Sequence, residues 1–417
     1  MIQKQKGTMD LYGVDGSIYK YIEGVIDSYA NLYNYEYIKV PTFEATELFY
    51  RGMGETTDVV NKETYDFVDK GDRKITLRPE FTAGVVRSYI ENKLYVDSVK
   101  KFYYFGSSFR YERPQSGRLR EFTQAGVEVF GIRNPKADAE VISIAYNILS
   151  ALGITDLVVK INSIGDSESR NKYSDAVREY FKGDFDNLCD ICKERLNKNP
   201  LRILDCKYDS EREYVKNAPK IKDYLNDESK AYFDQVKECL DLIGIPYVVE
   251  DTLVRGLDYY TDTVFEIACN LEELGKANTV AAGGRYDNLV SLLDGPATPG
   301  VGFAFGVERI LILLKELECF IPKDKLDVFV INMDETGFAY QVIDDLRGSG
   351  YSCETDYTGK SFKNIWKTID KYDPSYIIII GEDEVKGGYV TVKDNSTKEE
   401  TKVKSSELLD YLDMNLW

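Results

Sequence analysis

Four arginines that lie close together in the first third of the chain have the clearest chemical potential: Arg110, Arg113, Arg118 and Arg120. A planar guanidinium group binds a phosphate through two parallel hydrogen bonds, so a cluster of this kind predicts a polyphosphate site. Acidic residues are interleaved with the arginines, and they are Glu112, Glu121 and Glu128. A solvated ribbon with surface ion pairs is therefore the alternative.

Two strands are predicted to position these arginines. Residues Phe102–Tyr111 are aromatic and β-prone, and Leu119–Phe130 form a second such segment. Pro114, Ser116 and Gly117 between them are turn residues. The pattern predicts two antiparallel strands joined by a short loop.

The period of a strand predicts which side chains share a face. Side chains two positions apart point the same way, so Arg118 and Arg120 are expected to project together. For the same reason Phe122, Gln124 and Glu128 are expected to lie on one face of the second strand.

The composition limits the class of protein. A chain of 417 residues predicts two to three domains, and a hydrophobic content of 43% is typical of a globular protein. The net charge of −18 argues weakly against nucleic-acid binding, although a single basic track would suffice for it. The chain contains no histidine, which excludes a histidine general base and histidine metal ligands.

The chain has no apolar run of membrane-spanning length and no apolar signal core near its start, so we expect no membrane association and a cytoplasmic location. Its seven cysteines do not predict a disulfide framework. Cys189 and Cys192, with Cys206 following, make half of a zinc pattern. Reduced thiols are the favoured interpretation, and no metal ligand is predicted among the side chains.

The sequence pattern divides the chain into regions of different secondary structure. Residues 169–242 have a helical, charged pattern interrupted at Pro200 and Pro219, which predicts a helical insertion. From Asp327 to the end, strand and helix patterns alternate, which predicts an independent α/β unit with its own core.

Several motifs together carry a resemblance to a known family. Arg110, the turn and the triplet Arg120–Phe122 resemble motif 2 of class II aminoacyl-tRNA synthetases, and Gln124–Gly131 has the form seen in histidyl-tRNA synthetases. Further segments resemble the same family. They are Pro41 with Glu44 (motif 1), Leu253–Thr261, Ala281–Asp287 (interpreted as a Gly-Gly turn ahead of a helix) and Gly300–Arg309 (motif 3).

The resemblance implies an α+β catalytic domain, at 1–322, built on a mainly antiparallel sheet that carries the helical insertion. It also implies a C-terminal α/β anticodon-binding domain at 323–417. Motif 1 implies a homodimer.

The resemblance implies two catalytic arginines, Arg110 and Arg255. ATP would be bound by Arg110, Arg118, Arg120, Phe122 and Arg309, together with Mg²⁺. From the residues alone, Phe122 is almost as well interpreted as an interior aromatic side chain. The alternative interpretation of Arg255 is a structural ion pair with Asp258.

The resemblance implies an L-histidine pocket as well. Glu80, Thr82 and Gln124 would bind the α-ammonium group, although Glu80 has the alternative of capping a helix. Glu128 would accept a hydrogen bond from the imidazole, with Tyr259 and Tyr260 opposite. A buried carboxylate discriminates in this way because an apolar isostere would leave it unpaired.

Two functions from different classes follow. The first is a histidine–tRNA ligase that forms histidyl-adenylate and charges histidine tRNA. The second is a non-catalytic paralogue, such as the histidine-sensing regulatory subunit of ATP phosphoribosyltransferase. An RNA-binding module without catalysis is a third reading. The C-terminal unit and Arg255 favour the enzyme.

Overall fold

The computed structural model describes residues 1–416 apart from 55, 56, 58, 98, 205, 207, 270–277, 320, 322–324, 334, 335, 360 and 361. The chain divides into two compact units, Met1–Ile321 and Pro322–Trp417. The sequence-predicted boundary at 322–323 lies outside the described residues. None of the helices formed by the described residues combines the length and apolar character that a membrane span requires.

The strands of the first unit are, in chain order, β1 Glu36–Tyr37, β2 Phe43–Ala45, β3 Tyr65–Val68, β4 Lys74–Leu77, β5 Lys100–Phe109, β6 Glu121–Phe130, β7 Leu157–Ser163, β8 Tyr247–Val249, β9 Thr261–Cys269, β10 Thr279–Arg285 and β11 Gly300–Gly306. Its helices are α1 Gly13–Leu32, α2 Thr46–Met53, α3 Thr82–Glu91, α4 Pro135–Ala151, α5 Ser167–Lys182, α6 Asp190–Lys198, α7 Glu213–Lys216, α8 Asp227–Leu242, α9 Leu289–Leu292 and α10 Val307–Glu316. Short 3₁₀ and π turns connect some of them.

Eight of these strands, within the described residues, form one large sheet in the order β1-β5-β6-β11-β10-β9-β7-β8. Every pairing from β5 through to β7 is antiparallel, and only the outer pairs β1–β5 and β7–β8 are parallel. The predicted fold class, a mainly antiparallel sheet with helices, is confirmed.

Strands β5 and β6 are the predicted pair, and their side chains alternate between two environments. On β6, Ala125, Val127 and Val129 are buried in the main hydrophobic core, whereas Gln124 and Glu128 face the opposite side of the sheet. Apolar residues at every second position therefore fix the face on which the polar residues gather.

Helices α1, α4, α8 and α10 cover the core side of the sheet. Helix α1 buries Ile18, Ile22, Ile26 and Ala30, which recur every four residues and so form one stripe. Helix α4 begins where the Asn134 side chain accepts a hydrogen bond from the backbone N–H of Lys136.

The other side of the sheet is only partly covered. A small sheet of order β2-β4-β3 lies beside helices α2 and α3, and α3 buries Val85, Val86 and Tyr89 in a second core with Phe130. The remainder of this face is open, and it forms the cavity described below.

The predicted helical region has two different packing environments. Helices α5 and α6 and the turns up to Leu225 share a small core of their own, which includes Tyr173, Phe181 and Leu196. Helix α8 instead packs on α4 and joins the main core through Val236 and Leu240. The helical run is therefore one insertion in sequence that contributes to two cores.

The second unit alternates strands and helices, as predicted, and its strands form a mixed sheet of order β13-β12-β14-β15-β16. Its elements are β12 Val328–Asn332, α11 Phe338–Gly348, β13 Cys353–Thr355, α12 Phe362–Tyr372, β14 Tyr376–Ile380, α13 Glu382–Gly387, β15 Tyr389–Asp394, β16 Glu400–Lys404 and α14 Leu408–Leu416. Val328 and Val330 pack into one core with α11, whereas Phe329 and Ile331 pack into another with α12. Burial on both faces explains why β12 is a continuous apolar run.

Candidate active site

A cavity of about 1110 Å³ opens on the uncovered face of the large sheet. Its walls come from β5, β6, β9, β10 and β11 and from the loops at their ends. All of the sequence-predicted site residues except Arg120 line it: Glu80, Thr82, Arg110, Arg118, Phe122, Gln124, Glu128, Arg255, Tyr259, Tyr260 and Arg309.

Glu128 lies on the buried floor of the cavity, where only 1% of the residue is exposed. Three hydroxyl groups donate to its carboxylate: Thr82 Oγ1 at 2.7 Å, Tyr104 at 3.3 Å, and Tyr286. Burial raises the pKa of Glu128 to about 8, even though the Tyr286 and Thr82 hydroxyls lower it. The carboxyl group is therefore desolvated and oriented, which suits recognition of a ligand N–H.

Two glycines make room for this arrangement. A Cβ at Gly302 would collide with Oε2 of Glu128, and a Cβ at Gly126 would collide with the hydroxyl of Tyr104. Gly126 is the register partner of Tyr104, so the ring lies across the neighbouring strand and reaches Glu128. These glycines are needed for close approach across the sheet.

Glu80 caps helix α3. Its carboxylate accepts hydrogen bonds from the backbone N–H groups of Thr82 at 2.7 Å and Ala83 at 2.8 Å, and the residue is 4% exposed. The capping alternative is therefore what the geometry shows, and the same carboxylate also lines the cavity. Burial raises the pKa of Glu80. Gln124 lines the same cavity, and its Oε1 accepts from Ser108 at 2.9 Å.

Three arginines form a cationic wall. Arg309 extends from α10 and donates from Nε to the carbonyl of Gly117 at 3.2 Å, and Arg118 pairs with Glu112 at 3.4 Å. Arg110 donates to the carbonyl of Pro79 at 2.9 Å. Burial, together with the neighbouring Arg118 and Arg110, lowers the pKa of Arg309. The three arginines of this wall outnumber Glu112, the acid that pairs with Arg118, as expected for a site that binds an anion.

Phe122 also faces the cavity, and the Arg110 guanidinium lies 5.4 Å from its ring centroid. The two side chains sit on neighbouring segments, since Arg110 follows β5 and Phe122 belongs to β6. The ring is therefore accessible from the cavity rather than enclosed in the core.

Arg120 does not line the cavity, and the expectation that it projects beside Arg118 from a strand is wrong. Strand β6 begins only at Glu121, so both arginines lie in the preceding loop, where side chains do not alternate. The Arg120 guanidinium stacks 3.9 Å from the Tyr111 ring centroid. Its backbone N–H donates to the carbonyl of Gly7 at 2.7 Å, which anchors the N-terminal lead-in.

Arg255 pairs with Glu266 of β9. Asp258, the alternative partner, forms an ion pair with Arg170 at 3.7 Å and accepts a hydrogen bond from Asn199 at 2.8 Å. Glu266 is fixed from its other oxygen, because Thr279 Oγ1 donates to it at 2.8 Å. The Nε of Arg255 is buried without a hydrogen-bond partner among the described residues.

The segment Ala281–Asp287 is mostly strand, so the predicted Gly-Gly turn is wrong. Gly283 and Gly284 pair with β11 and β9 inside strand β10, and a Cβ on either would collide with neighbouring backbone. Arg285 is fully buried and forms an ion pair with Asp138 of α4 at 2.5 Å. The next residue, Tyr286, reaches the cavity.

Sequence reasoning missed three residues of the site, Tyr104, Tyr286 and Glu266. Tyr104 had an available signal, because it lies on β5 at the position opposite Gly126 in a hairpin already predicted. Tyr286 follows β10 and reaches Glu128 because β10, β11 and β6 pair in the sheet. Glu266 of β9 lies eleven residues after Arg255, a spacing that by itself predicts no contact.

Comparisons with known proteins agree with these features. A histidyl-tRNA synthetase family model matches residues 19–310, and an anticodon-binding domain model matches residues 327–415. The histidine–tRNA ligase of Staphylococcus haemolyticus is 48% identical over 99% of both chains. Histidine–tRNA ligase 1 of Shouchella clausii is 47% identical over 99% of this chain and 98% of its own.

Solved structures are similar over the same length. The crystal structure of apo S. aureus histidyl-tRNA synthetase has a TM-score of 0.84 at 38% identity, covering 99% of this chain and 100% of that one. An ATP phosphoribosyltransferase regulatory subunit/histidyl-tRNA synthetase from Bacillus halodurans C has a TM-score of 0.67 at 21% identity, covering 91% of this chain and 98% of its own. The second likeness concerns the fold alone. The resemblance predicted from the motifs is confirmed, and the chain belongs to the histidyl-tRNA synthetase family of aminoacyl-tRNA ligases.

Proposed function

We propose that this enzyme activates L-histidine with ATP to give histidyl-adenylate and then transfers the histidyl group to the 3′ end of histidine tRNA. One observation carries the proposal. A single cavity joins a buried carboxylate floor, at Glu80 and Glu128, to a wall of arginines, at Arg110, Arg118 and Arg309. An amino acid and a nucleoside triphosphate need these two environments next to each other.

The first step brings two anions together. The histidine carboxylate attacks the α-phosphorus of ATP, the new C–O–P bond forms, and the bond to pyrophosphate breaks. Arg110 and Arg255 neutralise the charge that accumulates at this centre, while Arg118 and Arg309 bind the outer phosphates. Phe122 stacks on the adenine. Arg120, which stacks on Tyr111 outside the cavity, contributes to ATP binding only if its loop rearranges.

The enzyme recognises the amino acid at two polar groups, the α-ammonium group and the imidazole. Glu80, Thr82 and Gln124 bind the α-ammonium group, and Glu128 accepts a hydrogen bond from an imidazole N–H. Tyr259 and Tyr260, which are each 7% exposed, enclose the ring. An apolar side chain of similar size would leave the buried Glu128 unpaired, which is the physical basis of discrimination.

We further propose that Mg²⁺ accompanies ATP. Glu112 lines the same cavity as the arginines, so a carboxylate, the ligand type that this ion prefers, lies beside the arginines that bind the phosphates. When bound, the ion neutralises the charge of the departing pyrophosphate.

The second unit, within proposed limits of 323–417, binds the tRNA anticodon, and 1–322 carries the chemistry. The anticodon-binding family match over 327–415 supports this division. The enzyme acts as a homodimer, a proposal that motif 1 around Pro41 and Glu44 supports. We place it in the cytoplasm. Light scattering at micromolar concentration tests the dimer, and a species near 47.6 kDa would contradict it.

The regulatory-subunit alternative is less well supported. The full-length relatives at 44–48% identity are histidine–tRNA ligases, whereas the regulatory subunit/histidyl-tRNA synthetase structure from Bacillus halodurans C is 21% identical. ATP–pyrophosphate exchange with each of the twenty amino acids separates the functions. We expect exchange with histidine alone, followed by charging of histidine tRNA, and histidine binding without exchange would favour the regulatory role.

A further inference from the structure

A cluster of potential metal ligands lies in the small helical core, apart from the cavity. It consists of Cys189, Cys192, Cys206 and Asp209, whose ligand atoms all lie within 4.8 Å of one another. In sequence these are two pairs with the same spacing, Cys-x-x-Cys and Cys-x-x-Asp, separated by the thirteen residues 193–205. Two pairs with this spacing are typical of a structural zinc site, whereas one pair supplies only half of the ligands.

The distances suit a tetrahedral ion. With Zn–S bonds of about 2.3 Å, two sulfurs of a tetrahedron lie about 3.8 Å apart. The Sγ atoms of Cys189 and Cys206 are 3.7 Å apart. This separation is far beyond the roughly 2.05 Å of a disulfide.

The start of one helix fixes two of the sulfurs. Helix α6 begins at Asp190, so Cys189 occupies its N-cap and Cys192 its first turn. Cys192 and Cys206 are almost completely buried, at 0% and 2% exposure, so water competes little for them.

Asp209 supplies an independent indication. It is 0% exposed, and its Oδ2 accepts a hydrogen bond from the backbone N–H of Cys189 at 2.9 Å. Its Oδ1 is buried, makes no hydrogen bond among the described residues and forms an ion pair with Arg212 Nε at 3.4 Å. A buried carboxylate oxygen with an ion pair but no hydrogen bond can accept a metal ion as a further partner.

We propose that Cys189, Cys192, Cys206 and Asp209 bind one structural Zn²⁺ ion. Three soft sulfurs and one oxygen in a tetrahedral set favour zinc over magnesium or calcium, which take oxygen ligands. All four positions are occupied by side chains, so the site is closed and does not activate water.

The ion also connects to the wall of the main cavity. Ser210 and Glu211 follow Asp209 directly and line that cavity. Zinc would fix the end of this segment and add to the stability of the small helical core. This inference rests on the cluster itself and not on the proposed reaction.

The test is the metal content of the full-length protein, purified with a thiol reductant and without added chelator. We expect about one zinc per chain. In the double variant Cys189→Ser/Cys206→Ser the content should fall at least tenfold, and Asp209→Asn should weaken binding by a similar factor. Asp209→Cys should retain the ion. Cys353→Ser, in β13, and Asp190→Asn, an exposed carboxylate of α6, are matched controls that should keep full occupancy.

Cobalt substitution gives a second measurement, because tetrahedral Co²⁺ bound to thiolates absorbs strongly in visible light. We expect this absorption in the wild type and in Asp209→Cys, and a chelator should remove it and lower the Tm. The proposal is overturned if reduced wild-type protein contains no zinc and takes up neither Zn²⁺ nor Co²⁺. Undiminished zinc in the cysteine double variant, or a Cys189–Cys206 disulfide in the purified enzyme, would overturn it as well.

Discussion

The guanidinium of Arg255 is held by the carboxylate of Glu266, which projects from the neighbouring strand β9. Thr279 Oγ1 fixes the second oxygen of that carboxylate at 2.8 Å. The arginine is thus oriented before any substrate enters. A cation that is positioned in advance spends little free energy on reorganisation during the reaction, which is how preorganised charge lowers a barrier.

The first prediction concerns Arg255 itself. Arg255→Ala should reduce the rate of adenylation by about 10²–10³, since it removes charge stabilisation that is strongest in the transition state. Binding of histidine and ATP should weaken much less, and Arg255→Lys should rescue only partly because a point charge cannot replace the planar fork. Single-turnover kinetics measure adenylation and transfer separately, and transfer should suffer less. An adenylation rate within about threefold of wild type would refute the catalytic role.

The second prediction concerns Glu266 as a positioning residue. Glu266→Gln keeps the shape but removes the charge that holds Arg255, so we expect a smaller loss, roughly tenfold in the adenylation rate. In the Arg255→Ala background the same substitution should have almost no further effect. If the two effects multiply instead, Glu266 acts independently of Arg255, for instance on a bound ion.

The third prediction concerns histidine recognition. Above pH 8, where Glu128 is ionised before the ligand binds, Glu128→Gln should weaken histidine binding by about 2 kcal/mol or more, the scale of a lost charge-assisted hydrogen bond, whereas ATP affinity should hardly change. Tyr286→Phe removes one hydroxyl from this carboxylate and is the matched control, with a smaller effect expected. Equilibrium binding of each ligand is the measurement. A parallel loss of both affinities would mean that Glu128 has a structural role.

The fourth prediction follows from the pKa of Glu128, which burial raises from 4.5 to about 8 in the folded enzyme. The folded state therefore holds this proton more tightly than the unfolded state. The resulting stabilisation is complete below pH 4.5 and is lost as the pH rises through 8. In the absence of ligand, wild type should lose on the order of 4 kcal/mol relative to Glu128→Gln between pH 5 and pH 9.

Thermal or urea unfolding of the two proteins across this pH range measures that difference. Glu80 also has a pKa raised by burial and is present in both proteins, so it enters the comparison only through its electrostatic coupling to Glu128. Parallel stability curves for wild type and Glu128→Gln would show that the carboxyl group is not desolvated as the structure indicates.

The two-residue period of a strand was sufficient to predict which residues of β6 line the cavity. Phe122, Gln124 and Glu128 share a face because strand side chains alternate, and this face is visible in the sequence of β6 alone. The sequence also indicated Glu80 as a site residue, with helix capping as the alternative. In the structure the Glu80 carboxylate caps α3 and the residue lines the cavity, so the two interpretations are compatible.

The errors arose where geometry is not local. The Gly283–Gly284 pair suggests a turn in isolation, yet the close packing of β9, β10 and β11 requires glycines inside a strand. Glu266 lies eleven residues after Arg255, and their contact depends on the path of the segment between them, which the sequence pattern does not record. Asp209 was missed for another reason, because an aspartate in the place of a fourth cysteine is not distinctive until the fold brings the ligands together.

The last prediction concerns the second unit. Its described residues form two cores, one on each face of β12, and the described residues that line the cavity belong to the first unit. A chain that ends at residue 321 should therefore fold and retain most of its ATP–pyrophosphate exchange with histidine.

The same truncation should reduce charging of histidine tRNA by at least 10²-fold, because binding of the tRNA loses its anticodon contacts while the adenylation site is intact. Exchange and charging are measured on the same preparation, with light scattering to verify that the oligomeric state is unchanged. Charging at the full-length rate would show that residues 322–417 do not bind the anticodon. A loss of exchange without any change in oligomeric state would show that the first unit depends on the second for its active conformation.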